Sequence, residues 1–254
     1  MRQIVSIHSY RGGTGKSNLT ANLATAVALL GKRVGVVDTD IQSPGIHILF
    51  GLDDKQVTRA VNDYLYNQCS IKDTAYHVSP PEVTAAGGQM FLVPASMKAP
   101  DIARVLKEGY DVEKLNAGFE QLLEDLNLDF LFVDTHPGMN EETLLSIAIS
   151  DWLILILRPD RQDYLGTAIT IEVSRKLGVP NLVLVVNKVL ASMDQTALRK
   201  DVERSFAAEL GVVLLLSEDM LRLGSTGIMT LKFPEHQFTR AVAELAARIV
   251  RRSS

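Results

Sequence analysis

Short apolar runs recur along the chain, and between them lie longer stretches in which apolar residues return every three or four positions. The first pattern predicts buried strands and the second amphipathic helices. The predicted strands are Ile4–Ile7, Val34–Val37, Met90–Val93, Asp129–Val133, Trp152–Leu157, Leu182–Val186 and Val212–Leu216. The predicted helices are Leu19–Leu30, Ala99–Lys107, Val112–Leu126, Glu141–Ile149, Asp160–Leu177, Asp194–Leu210 and Pro234–Arg252, with a short helical turn at Ile46–Phe50. In the last helix Phe238, Val242, Leu245 and Ile249 fall on one face. Residues 51 to 89 are the least patterned: Val57–Tyr66 predicts a helix, Tyr76–Val78 a short strand, and Ser79-Pro80-Pro81 and Ala85-Ala86-Gly87-Gly88 predict turns. Strands alternating with helices predict an α/β fold. It is a single domain spanning residues 1–254, with a mainly parallel central sheet, helices on both faces and right-handed crossovers.

The first strand runs into Ser9-Tyr10-Arg11-Gly12-Gly13-Thr14-Gly15-Lys16-Ser17-Asn18, and a helix follows. Strand, glycine loop and helix are the context a phosphate-binding loop requires. Glycines let backbone N–H groups turn toward an anion with no Cβ in the way. The helix N-terminus adds unpaired donors and the positive end of its dipole. Lys16 can reach the outer phosphates, and the Ser17 hydroxyl can ligate Mg²⁺. The plain alternative is a glycine turn before a helix; acids farther along the chain weigh against it.

Those acids are Asp38, Asp40 and Asp134, each expected at the carboxyl end of a strand, where ligands of open α/β sheets collect. A nucleoside triphosphate needs a cation, and Mg²⁺ takes one or two carboxylates together with phosphate oxygens and water. Asp134, after an apolar run, has the Walker B form. Any one of the three read alone is also a good helix N-cap. Asn187-Lys188-Val189-Leu190 suggests the base pocket. A guanine site of this kind ends in Asp, which accepts from the ring; Leu190 stands there instead. The Asn187 amide can still pair with an adenine edge, so ATP is favoured over GTP. A simple turn after the strand is the alternative.

Composition adds limits. With 254 residues, 46% hydrophobic and 22% charged, the chain lies in the soluble globular range. A net charge of −4 excludes a wholly basic nucleic-acid binder. The single cysteine, Cys69, excludes an intrachain disulfide and an all-cysteine metal cluster within one chain, and reads as a structural thiol. The start carries no secretory pattern and no apolar run reaches the length of a membrane span, so the expected location is cytoplasmic.

Taken together these motifs are similar to those of the MinD/ParA family of deviant Walker A P-loop ATPases, along nearly the whole chain. The glycine loop resembles the family's Lys-Gly-Gly-x-Gly-Lys-Thr, and Asp38-Thr39-Asp40 its switch I. Val133-Asp134-Thr135-His136-Pro137-Gly138 resembles its switch II, and Ser217-Glu218-Asp219 its segment beside the adenine. The resemblance implies that Arg11, Gly12, Gly13, Thr14, Gly15, Lys16, Ser17, Asn18, Asn187 and Glu218 bind the nucleotide. Ser17, Asp40 and Asp134 would surround Mg²⁺, and Asp38 would orient the attacking water. It further implies an ATP-bound sandwich homodimer, slow hydrolysis stimulated by an activating partner protein, and a role in positioning or partitioning a cellular cargo. The alternative is a nucleotide-binding scaffold with little or no hydrolysis that recruits a protein partner.

Two departures stand out. Arg11 replaces the signature lysine that reaches across the dimer, and Ser217 replaces a proline beside the base. Arginine keeps the charge with a different geometry, and could act in trans or leave a weakened or monomeric ATPase. His8 reads as a packing residue at a strand end. His136 reads either as a γ-phosphate sensor or as a solvent-facing loop residue. Iron–sulfur carriers share the loop but need cysteines to bridge subunits. Two surfaces are candidates for binding: nonspecific DNA, through Lys200, Arg204, Arg240 and Arg252, and a membrane, through Arg251 and Arg252.

Overall fold

The computed structural model describes residues 2–53 and 55–253. In chain order its elements are β1 Gln3–His8, α1 Lys16–Ala28, β2 Arg33–Asp38, α2 Ile46–Leu49, α3 Val61–Leu65, β3 Tyr76–His77, α4 Pro81–Ala85, β4 Gln89–Val93, α5 Ala99–Glu108, α6 Val112–Asp125, β5 Phe130–Asp134, α7 Glu141–Ala148, β6 Trp152–Leu157, α8 Arg161–Lys176, β7 Asn181–Val189, α9 Gln195–Phe206, β8 Glu209–Leu215, α10 Glu218–Leu223, α11 Met229–Lys232 and α12 Gln237–Arg252. Among the described residues the strands form one eight-stranded sheet in the order β3-β4-β2-β5-β1-β6-β7-β8. Every pairing is parallel except the short edge pair β3–β4.

Strand side chains alternate between two buried faces. Trp152, Ile154 and Ile156 join α1 and α12 on one side, where Val242, Leu245 and Ile249 are also buried. Leu153, Leu155 and Leu157 pack with α8 and α9 on the other. Leu131 and Val133 pack with α3 and α6 on that second side. With both faces covered, no polar position is needed along β6. The α12 stripe lies in the core as its spacing predicts.

Several elements differ from the sequence expectation. A short helix, Pro81–Ala85, lies between the two predicted turns and takes Pro81 and Ala85 from them: Pro81 stands in its first turn, where a fixed φ suits the helix, and Val83 is buried. Residues 57 to 60 are not helical, and α3 begins only at Val61. Helix α9 stops at Phe206, short of Leu210, at a left-handed Ala207. No glycine marks that stop; instead Arg175 Nη2 donates to the carbonyls of Phe206 and Ala207. Strand β7 continues through Asn187 and Lys188, with a register break there and a left-handed Lys188. The Ser217 segment opens α10, which Ser217 caps by accepting from the Met220 N–H.

Candidate functional site

The glycine loop joins the carboxyl end of β1 to α1. Gly13 and Gly15 both have positive φ, 75° and 96°, which side-chain-bearing residues rarely adopt. A methyl group on Gly15 would also sit 2.6 Å from Asn187 Nδ2. Two residues at the end of β7 hold the loop's carbonyls: Asn187 Nδ2 donates to Thr14 O at 2.8 Å, and Lys188 Nζ donates to Gly13 O at 2.7 Å. Among the described residues none of Gly12, Gly13, Thr14 and Gly15 gives its N–H to another backbone carbonyl. The loop is therefore pinned by its acceptors, and its donors remain available for an anion.

Beneath the loop lies a cluster of charge. Asp38 and Asp134 end the neighbouring strands β2 and β5 and stand side by side in register. Lys16 Nζ donates to Asp134 Oδ1 at 3.0 Å and lies 4.0 Å from Asp40 Oδ2. The Thr20 hydroxyl stands 2.9 Å from the same Asp134 oxygen. Asp38, 1% exposed, accepts from the backbone N–H of Asp40 at 3.0 Å and of Gly45 at 3.2 Å. Burial, and then the neighbouring Asp134 charge, push its carboxyl up to about 7. Asp40 Oδ1 is 2.6 Å from His136 Nδ1, so this histidine is turned to switch I rather than to solvent. His8 is fully buried, with Nδ1 2.8 Å from Thr135 Oγ1. Burial and the Lys16 charge push it down to about 3, so it is neutral. Ser17 is half-buried at the first turn of α1.

A cavity of about 150 Å³ opens beside the loop. Asn18, Asn187, Lys188 and Ser217 line it together with the apolar Leu216, Met220 and Leu221. Glu218 is not part of it. Its side chain is 83% exposed and accepts from Arg222 Nη2, because the first position of α10 turns outward. Arg11 is half exposed: its Nη1 donates to Gln162 Oε1 and stands 3.7 Å from Asp163.

A family model described as "ParA: NUBPL iron-transfer P-loop NTPase" matches residues 1–249. The chain belongs to this family, the MinD/ParA group of P-loop ATPases. An uncharacterized ATP-binding protein of Methanocaldococcus jannaschii is 30% identical over 97% of this chain and 87% of its own length. An iron–sulfur cluster carrier protein of the same organism is 29% identical over 72% of this chain, but the match spans only 59% of the carrier. Among solved structures, the septum site-determining protein MinD of Pyrococcus horikoshii, complexed with Mg-ADP, is 22% identical. It superposes with a TM-score of 0.84, covering 100% of this chain and 98% of that one. At that identity the likeness establishes the fold.

Several features of this family member were not legible in its motifs. Thr20 joins the site beside Asp134, and Lys188, read from the sequence only as part of the base-pocket motif, holds the loop carbonyl of Gly13. Three of the four residues proposed for DNA contact are engaged with acids: Arg204 with Asp201, Arg240 with Glu235, and Arg252 with Glu209. Arg252 also lies over the Trp152 ring, 5.1 Å from its centroid, so the basic end of α12 is partly spent within the molecule. Cys69 is a half-buried free thiol. No helix among the described residues is long and apolar enough to cross a membrane.

Proposed function

We propose that this MinD/ParA-family ATPase is a nucleotide-operated switch: with ATP and Mg²⁺ it forms a homodimer that recruits a protein partner, and slow hydrolysis resets it. The observation that carries this reading is the Lys16 ammonium resting between Asp134 and Asp40 beneath a loop whose N–H groups are free. A cation already occupies the place where two carboxylates need one. When a triphosphate enters, Lys16 can turn to its outer oxygens and Mg²⁺ can take over the acids.

The donor set fits Mg²⁺. Ser17, Asp40 and Asp134 supply hard oxygens, and among the described residues no three His, Cys, Asp or Glu side chains converge as a self-sufficient metal site. Mg²⁺ usually draws the rest of its shell from phosphate and water. Bound there, it would neutralise charge on the β- and γ-phosphates. Lys16 and the loop amides stabilise the charge that builds up as the γ-phosphoryl group leaves. Asp38 would orient the attacking water, and it also holds Gly45 and hence the start of α2. Asn187 and the leucine-lined cavity take the base.

Slow rather than rapid turnover fits Arg11, whose guanidinium is held on α8 of its own chain by Gln162 and Asp163. Cargo positioning of the MinD kind and iron–sulfur cluster delivery are the two finer forms of this reading. The carrier relatives speak for the second. Against it stands Cys69, the one cysteine per chain, because such clusters are usually held by four thiolates. Sedimentation velocity with ATP and Mg²⁺ against ADP, together with phosphate release, tests the switch. An ATP-specific dimer with slow release is expected; a monomer in both nucleotides contradicts it.

A further inference from the structure

Helix α8 carries a glycine, Gly166, well inside its length. Glycine is a poor helix former, so a glycine here calls for a reason. The reason is Tyr10. A methyl group at position 166 would fall within the Tyr10 ring, overlapping Cγ and Cδ1 near the root of that side chain. The ring is thus seated directly on the backbone of α8, on the segment that leads into the glycine loop.

The next residue continues the contact. Arg11 reaches Gln162 and Asp163 in the first turn of α8. Asp163 is 2% exposed and is fixed by Arg158, which gives it its backbone N–H at 2.9 Å and two guanidinium N–H groups at 3.0 Å. A cation at a helix N-terminus opposes the helix dipole, and Asp163 offsets that opposition. The arginine is therefore held by a modest contact that a stronger anion can outbid. Switch II touches the same segment: Gly138 N–H donates to Ser9 O at 3.1 Å, and Ser9 Oγ donates to Arg11 O at 2.8 Å.

We propose that Tyr10 is a positioning residue: seated on Gly166 it clasps Arg11 against α8, and this clasp must open before Arg11 can reach the nucleotide of a second subunit. The inference rests on the dimer reading above and adds its control. Movement of switch II around a bound nucleotide pulls on Ser9 through Gly138, lifts the ring from Gly166 and frees the guanidinium.

Gly166→Ala and Tyr10→Ala test this on the full chain. Alanine is the better helix former, so Gly166→Ala disturbs the ring without weakening α8. Hydrogen exchange of the peptide spanning residues 136–142, whose Gly138 N–H is bonded to Ser9 O, read without nucleotide, reports the clasp; sedimentation velocity with ATP and Mg²⁺ reads the dimer. Both variants are expected to exchange faster in that peptide and to dimerise at a protein concentration about fivefold lower than wild type. Unchanged exchange in both overturns the clasp. Faster exchange with wild type dimerising as readily as the variants overturns its role as a gate. Faster exchange with no dimer in any of the three supports the clasp and overturns the dimer reading instead.

Discussion

Lys16 Nζ donates to Asp134 Oδ1 across 3.0 Å, joining the first turn of α1 to the end of β5, with both side chains buried. Removing one member of a buried pair leaves the other charge without compensation. Lys16→Ala is therefore expected to lower unfolding stability by about 3 kcal/mol. It is also expected to weaken ATP binding on the order of 100-fold, through loss of a charge-assisted phosphate contact. Urea unfolding and calorimetric titration check the two effects separately.

Asp38 and His8 make opposite demands on pH. Asp38 titrates near 7 when folded and near 3.8 otherwise, so between those values the native state holds a proton that the unfolded chain has lost. Its contribution to stability falls as pH rises through that window. His8 titrates near 3 when folded and near 6.5 otherwise, so there the unfolded chain holds the extra proton and stability rises with pH. Each slope is at most about 1.4 kcal/mol per pH unit, and in the overlap they oppose one another. Urea midpoints of wild type are expected to vary little across the overlap on account of these two groups. Asp38→Asn should lose stability as pH falls from about 6.5 to about 4, and His8→Asn should gain it over the same range.

Asn187 both pins Thr14 O and stands over Gly15. Asn187→Ala frees the loop and removes one polar wall of the adjoining cavity. ATP affinity should drop on the order of tenfold, the worth of about one hydrogen bond in a buried site. Competition binding of ATP and GTP to wild type should favour ATP, since Leu190, 52% exposed, offers no acceptor to a guanine ring.

Arg252 covers the Trp152 ring, and its guanidinium also reaches Glu209 at 3.0 Å and Asn181 at 3.1 Å. Trp152 is the sole tryptophan, so its emission reads this contact. Arg252→Ala should change that emission and cost about 0.5 kcal/mol, an amount reduced by the partial exposure of both ions. An unchanged spectrum would place the guanidinium elsewhere in solution.

The strand–helix alternation and the loop–acid constellation were legible because both are written locally: apolar runs, a glycine cluster, and an acid where a strand ends. Asp134 and Lys16 were named from such patterns and lie together. The departures come from contacts made across the fold. Asn187 and Lys188 bond to loop residues more than a hundred positions earlier in the chain, so no window of sequence contains both ends. The stop of α9 depends on Arg175, from a different helix, instead of a glycine. Glu218 matched a motif, but helix phase turned its side chain outward while Ser217, Met220 and Leu221 face the cavity. Gly166 carried a usable signal, a glycine inside a helical pattern, whose partner only the fold identifies.

Calorimetric titration of ATP, with and without Mg²⁺, into wild type and Lys16→Ala tests the central claim most directly. Wild type should bind one ATP per chain, more tightly with Mg²⁺, and the variant should show little or no heat of binding. Equal binding by the two proteins, or none by wild type, would contradict a triphosphate seated on the glycine loop above Asp40 and Asp134.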